Sequence, residues 1–270
     1  MRGWTGGLVV ALATIQAAEA GSPLRITNSC PGTIWMQSLP NAGQPALPDQ
    51  LVSIPSRAAH DFSIPGSGWN GRFWPKTGCN GAGRNCSSGD SETGFCPPYP
   101  TICQPPSYTK IEFFFPPPGS GANAWYDISL VDGYSVPFKI TPRAPASGSC
   151  IPTQCNLSLD ACPGNEILGL GSLKVQVGGK TVMCLSPCKK WNYPAPYGEG
   201  KPETTAPGVD LCCPTPPMSS GACQAGPVVT SSYVKTVRAS CPTAYSFAYD
   251  DKGGLHNCPP TTGFDVVLCP

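Results

Sequence analysis

Sixteen cysteines constrain this 270-residue chain more than any other feature of its sequence, and the first of them is Cys30. An even count of that size, in a chain bound for an oxidising compartment, reads as a disulfide framework with eight bridges. Metal binding is the competing use of cysteine. Only His60 and His256 are present to assist it and no repeated C-x-x-C pair occurs, so neither a metal nor any other cofactor is expected. The compartment follows from the N-terminus, where Arg2 precedes an apolar run from Leu8 to Ile15 and small residues end at Ala18-Glu19-Ala20. That order is a secretory signal over residues 1–20, which predicts a secreted protein, extracellular or associated with a cell wall. The run is too short to cross a bilayer and no later stretch approaches the ~20 apolar residues that a spanning helix needs, so no transmembrane segment is expected.

With 34 prolines and 31 glycines the sequence is interrupted too often for long helices. Short strands are predicted at 24–28, 33–38, 59–64, 71–74, 108–115, 125–131, 136–140, 172–177, 244–248 and 264–268, each bounded by turn residues. Such a series predicts an all-β fold, a β-sandwich. The stretch 150–241 holds nine cysteines and reads as a disulfide-rich loop lobe, with a short helix at 231–239. The proline-rich pieces 97–106 and 116–118 read as rigid turns, so the mature residues 21–270 form one domain, with a second, small loop lobe at about 75–107. A formal charge of +1, with no stripe of Lys and Arg, argues against nucleic acid as a partner.

Several strings occur in a telling order. Gly71-Arg72-Phe73-Trp74 leads to Thr77-Gly78-Cys79, and Cys86-Ser87-Ser88-Gly89-Asp90 follows. Tyr126-Asp127-Ile128-Ser129-Leu130-Val131-Asp132-Gly133 comes next, then Cys184 and Cys188, the adjacent pair Cys212-Cys213, Cys241-Pro242-Thr243-Ala244-Tyr245-Ser246, and a terminal Cys269-Pro270. Together they resemble the thaumatin-like family of pathogenesis-related proteins, which includes the osmotin- and zeamatin-like members, over essentially the whole mature chain. The resemblance implies a thaumatin-like β-sandwich with loop lobes, a monomer, and the pairs Cys30–Cys269, Cys79–Cys86, Cys96–Cys103, Cys150–Cys258, Cys155–Cys241, Cys162–Cys184, Cys188–Cys212 and Cys213–Cys223. Two features depart from the family pattern. Ser91 stands where the family has a cysteine, the next being Cys96, and the segment 189–211, rich in Tyr, Pro and Gly, is unusually long.

The resemblance also implies an acidic cleft that binds β-1,3-glucan or another cell-wall polysaccharide. Carried over residue by residue, its members are Arg72, Glu112, Asp127, Asp132 and Asp251, with Asp250 the adjacent alternative to Asp251. Such a set suits glycoside hydrolysis, which needs one protonated acid and one ionised carboxylate. Crowded carboxylates supply that difference, because like charges held close raise one pKa while an arginine stabilises the remaining anions. Glu112 is the general-acid candidate, Asp127 the base and Asp132 the reserve, while Arg72 and Asp251 shape the field and hold sugar hydroxyls. Each has a structural alternative. Asp132-Gly133 is also a good turn, and Arg72 is also a fitting ion-pair partner for Asp127. Residues 127 and 132 differ by an odd number, so they share a face only if a bulge or turn intervenes.

Aromatic residues that stack on sugar rings are candidates too. Trp74, Phe73 and Tyr126 lie on expected strands and fit a core, whereas Tyr193 and Tyr197, in the polar insertion, are expected to be exposed and to touch ligand. Asn156-Leu157-Ser158 is a glycosylation acceptor; Asn85-Cys86-Ser87 fits the pattern but contains a half-cystine. No G-x-S-x-G elbow is present and two histidines give nucleophilic triads little support. Three functions stay open: a glucan-binding defence or wall-associated protein with antifungal action, a weak endo-β-1,3-glucanase using the same cleft, and a structural or inhibitory protein with a vestigial cleft.

Overall fold

The computed structural model describes residues 23–90 and 108–270. The signal at 1–20, the pair Cys96–Cys103, the proline-rich piece 97–106 and most of the small lobe expected at 75–107 lie outside the described residues.

The described chain is mostly β, with a few short helices. In chain order the strands are β1 (Leu24–Asn28), β2 (Ile34–Pro40), β3 (Leu51–Ile54), β4 (Ala59–Phe62), β5 (Trp69–Lys76), β6 (Lys110–Phe115) and β7 (Ala124–Ser129). After them come β8 (Gly133–Tyr134), β9 (Phe138–Pro142), β10 (Thr153–Cys155), β11 (Lys174–Val177), β12 (Lys180–Leu185), β13 (His256–Cys258) and β14 (Phe264–Leu268). The α-helices are α1 (Pro187–Asn192), α2 (Gly208–Cys212), α3 (Ser220–Gln224), α4 (Ser232–Ser240) and α5 (Asp251–Gly254).

Three sheets result. One has the order β13-β7-β6-β5-β2-β3, a second β10-β9-β14-β1-β4, and a third, smaller one β11-β12-β8. Among them only β1 and β14 pair in parallel, which brings the two ends of the described chain together, and Cys30–Cys269 locks that contact. Strand alternation explains the core. In β6, Ile111, Phe113 and Phe115 are buried while Glu112 and Phe114 between them are half-buried. The buried row meets the second sheet directly, with the Phe113 and Phe264 rings 5.2 Å apart, Tyr126 and Phe264 4.9 Å apart, and Phe62 and Phe73 4.9 Å apart. Each such ring contributes about 1.5–3 kcal/mol by leaving water.

The segment 150–241 has a different logic. It carries Cys162–Cys184, Cys188–Cys212 and Cys213–Cys223 as local ties and Cys155–Cys241 as a longer one, while Cys150–Cys258 joins it to β13. With Cys79–Cys86 and Cys30–Cys269 these are seven bridges among the described residues, and each is a pairing that the family resemblance implies. Helix α4, one residue from its expected place, starts with Ser231 accepting from the Val234 amide at 3.0 Å. Beneath it Glu166, 1% exposed, accepts from the Ser232 and Tyr233 amides at 2.8 and 2.9 Å, so a buried carboxylate satisfies two orphan donors of the helix.

One predicted strand is not one. Residues 244–248 make only an isolated bridge, Ser129 with Tyr245, before the Asp250 carboxylate takes the Ser246 amide and hydroxyl and turns the backbone away. Ala244 and Phe247 are buried, as strand residues would be, but without a ladder. Strands β3, β8, β10, β12 and β13 were not foreseen; four are of two to four residues, too short for an alternation to register, and β12 opens on the polar pair Lys180-Thr181. No helix among the described residues is long and apolar enough to cross a membrane.

Candidate functional site

Strands β5, β6 and β7 are antiparallel neighbours, and their register sets Arg72 opposite Glu112 and Glu112 opposite Asp127. Because Phe73, Phe113 and Tyr126 point into the core, alternation puts these three residues on the outer face as one row across three strands. The next row on the same face is Asn70, Phe114 and Trp125. A hollow of about 330 Å³ lies between them, lined by Asn70, Glu112, Phe114, Trp125 and Asp127 among others. Trp125 is 37% exposed there, an indole left in solvent beside two carboxyls. Gly71 also lines it, and a Cβ at that position would meet the Leu39 carbonyl and the Trp69 ring at 2.5 and 2.6 Å, so only glycine lets β5 approach β2 this closely.

Asp127 is the most perturbed acid of the row. It is 8% exposed, and its Oδ1 is buried without a hydrogen-bond partner among the described residues. Burial, then Glu112 and Asp251, push its carboxyl well above the usual carboxylate range, with Lys110 opposing them.

Asp132 escapes the alternation because β7 ends at Ser129 and the chain turns, Gly133 donating to the Leu130 carbonyl at 3.1 Å. Its side chain does not bond its own backbone; its two oxygens receive Lys110 Nζ at 2.8 Å and Lys189 Nζ at 3.5 Å. Burial alone would raise its pKa, but the two ammonium groups, with Arg72 adding to them, outweigh burial and hold it below the usual range. Lys110 is the mirror case. Burial would lower it, yet Asp132 and Glu112 raise it above an ordinary lysine. Both lysines were missed in the sequence. Lys110 stands two residues before Glu112 and therefore shares its face, a period-two signal that was there to read. Lys189 arrives from the long insertion, because the Asp132 carbonyl accepts from the Ser186 amide at 3.1 Å and so seats the start of α1 beside the carboxylate.

Asp251 begins α5, is exposed, and accepts from the Tyr245 hydroxyl at 2.6 Å. Burial, then that bond, then Asp127 raise the Tyr245 pKa, which ties the tyrosine to the same cluster. Asp250, the alternative, is committed elsewhere, accepting from Arg238 at 2.8 Å and from Ser246. Arg72 forms no ion pair with Asp127 among the described residues, and its Nε is buried without a partner. The cluster thus holds four carboxyl groups, Glu112, Asp127, Asp132 and Asp251, and three cations, Arg72, Lys110 and Lys189, a formal surplus of one negative charge. Its floor is apolar: Trp74 and Tyr108 lie 5.4 Å apart, and burial raises the Tyr108 pKa to about 12.

The aromatic expectation needs correction. Tyr193 is 4% exposed, because it ends α1 and its carbonyl accepts from the Gly200 amide, which folds the insertion back over the ring. Tyr197 is half-buried, 6.0 Å from the Tyr193 ring, and neither lines the hollow beside Glu112 and Asp127. The exposed aromatic beside the hollow is instead Trp125. Asn156 is exposed directly after β10. Cys188, Glu203 and Cys212 come close enough for a metal, but the two sulfurs are joined to each other and offer no thiolate.

The chain as a whole has recognisable relatives. The Thaumatin family model matches residues 28–270. A cherry protein named glucan endo-1,3-beta-glucosidase (Prunus avium) is 30% identical over 90% of this chain and 88% of its own length. Pathogenesis-related protein 5 of Arabidopsis thaliana is 32% identical over 97% of this chain and 96% of its own, and thaumatin-like protein 1 of Pyrus pyrifolia 30% over 98% and 97%.

Proposed function

Because the chain belongs to the thaumatin family, we propose that it is a secreted defence or wall-associated protein whose outer-face cleft binds β-1,3-glucan. On this reading the two larger sheets are the layers of the expected sandwich, and residues 21–270 act as one domain. The observation that carries the proposal is the register-fixed row Arg72, Glu112 and Asp127, with Trp125 exposed one row away. An indole face and a set of hydrogen-bonding groups side by side suit a pyranose, which presents an apolar ring face and a polar rim.

Hydrolysis is the second reading. The raised pKa of Asp127 favours it, and so does the name of the cherry relative. The roles then change from those expected in the sequence. Asp127, buried and crowded, keeps the proton and gives it to the leaving oxygen; Glu112, half-buried opposite Arg72, activates water or attacks carbon. Asp132, held as an anion between two lysines, contributes field and no proton.

Incubation with a soluble β-1,3-glucan from mildly acidic to neutral pH, followed by affinity electrophoresis and chromatography of released sugars, tests both. Retarded migration with no released sugar supports binding alone, and released oligosaccharides support hydrolysis. Migration unchanged by glucan, with no sugar released, defeats the proposal.

A further inference from the structure

Asp251 faces the cleft, but its neighbours Asp250 and Lys252 line a different hollow of about 530 Å³ beside the last turn of α4. Its size falls within the ~300–1,000 Å³ of small-ligand sites. Arg238 supplies the first cation. Its guanidinium donates to Asp250 at 2.8 Å and lies 5.1 Å from the centre of the Phe247 ring, so two contacts hold it flat while its side chain stays 43% exposed. Lys252 supplies the second; it is exposed and forms no ion pair among the described residues. Asp250, the one acid here, is occupied by Arg238 and by the Ser246 amide and hydroxyl. Two cations against one carboxylate leave a formal surplus of one positive charge, the opposite sign to the cleft. The remaining wall includes Tyr249, a non-glycine residue at φ 69°, fixed by Gln224 donating to its carbonyl at 2.8 Å and by a bond between its hydroxyl and Thr215. A strained residue over-determined in this way belongs to the class that collects at ligand sites.

We infer that this hollow binds a sugar ring bearing a carboxylate, a hexuronate unit, with the carboxylate on Arg238 and Lys252 and the ring against Tyr249. A pre-oriented guanidinium fork selects a planar carboxylate, and Arg238 lines the hollow with only Nη2 committed to Asp250. A neutral sugar leaves Lys252 without a counter-charge and the surplus positive charge unmatched, and a bare inorganic anion leaves the aromatic wall unused. The inference is independent of the glucan reading, since the two hollows share no lining residue.

Isothermal titration of the mature protein with trigalacturonate, maltotriose and inorganic phosphate tests it. Trigalacturonate binds, more weakly as salt rises; maltotriose does not, and a neutral β-1,3-glucan trisaccharide does not compete. Lys252→Glu, at an exposed position, weakens trigalacturonate binding about tenfold or more, since it removes a charged contact and places a like charge beside the ligand. Arg238→Lys, which keeps a cation for Asp250 but loses the fork, weakens it several-fold while far-ultraviolet circular dichroism stays unchanged. The inference is overturned if trigalacturonate does not bind, if maltotriose binds equally well, if phosphate matches trigalacturonate in affinity, or if Lys252→Glu has no effect.

Discussion

Two acids of the cluster, the buried Asp127 and the half-buried Asp132, are pushed in opposite directions, and the difference is a matter of which neighbour each one meets. Asp127 has its pKa raised in the folded state, so the native protein keeps a proton that the unfolded chain has lost, and stability falls as pH rises from the ordinary aspartate range toward the folded value. Asp127→Asn removes that loss. In denaturant titrations its advantage over the parent is expected to grow from acidic to neutral pH, by about 1.4 kcal/mol for every tenfold difference in proton affinity between the folded and unfolded carboxyl; an advantage that shrinks instead contradicts the assigned burial. If Asp127 is the proton donor, the same variant lowers any glucanase rate by roughly 10²–10⁴-fold and leaves glucan binding largely intact. Asp132 has a lowered pKa, so its contribution is present above the ordinary aspartate value and is lost as pH falls. Lys110→Met leaves that half-buried carboxylate with only the longer contact to Lys189, and is expected to cost about 3 kcal/mol, the low end for a buried pair, at neutral pH and less in acid, as measured by chemical unfolding. A cost that does not depend on pH means that the lost packing of the lysine stem, and not its charge, is what matters.

At the scale of elements, α1 shows how the segment after β12 reaches the acidic cluster. Ser186 caps it, accepting from the Lys189 amide at 3.2 Å, and Pro187 stands at its first position, where a missing N–H costs nothing. The disulfide Cys188–Cys212 then ties α1 to α2. Ser186→Ala is expected to cost about 0.5–2 kcal/mol and to loosen Lys189 from Asp132. Amide exchange checks this, with faster exchange confined to α1 and its neighbours as the expected result; unchanged protection at Lys189 and Lys190 contradicts it. Strands β5, β6 and β7 need no such device, because their long ladders and alternating aromatics specify one register, and a slip by one residue would turn Arg72, Glu112 and Asp127 into the core.

The whole molecule is closed by its ends. Strands β1 and β14 pair in parallel between β4 and β9, and Cys30–Cys269 spans 239 residues of sequence. A crosslink that removes so much freedom from the unfolded chain is expected to be worth about 2–5 kcal/mol, so replacing both cysteines by alanine should lower the unfolding midpoint without changing the circular dichroism of the folded protein. No change in midpoint would mean that the parallel ladder alone fastens the termini.

What the sequence determined by itself is the repetitive part of this protein. Strands such as β1 and β14 fell at their expected residues, because alternating apolar side chains bounded by turn formers leave one local answer, and the cysteine count with its ordered motifs carried the family. The row Arg72, Glu112 and Asp127 was also within reach, since Glu112 and Asp127 each sit between two inward apolar residues and Arg72 precedes the inward Phe73. Tertiary structure decided the charges. Lys110 and Asp132 lie 22 residues apart, and Lys189 comes from α1, so their meeting depends on the pairing of β12 with β8 and on the hydrogen bond from the Ser186 amide to the Asp132 carbonyl that extends it. It decided exposure as well: Tyr193 is wrapped by its own insertion, while Trp125, which composition would place inside, lies in solvent because its neighbour Tyr126 took the inward position. Side-chain periodicity is a local property of the backbone and can be read from one strand. The protonation of a carboxyl depends on every charge and every layer of atoms around it, and those are set only when distant segments have packed.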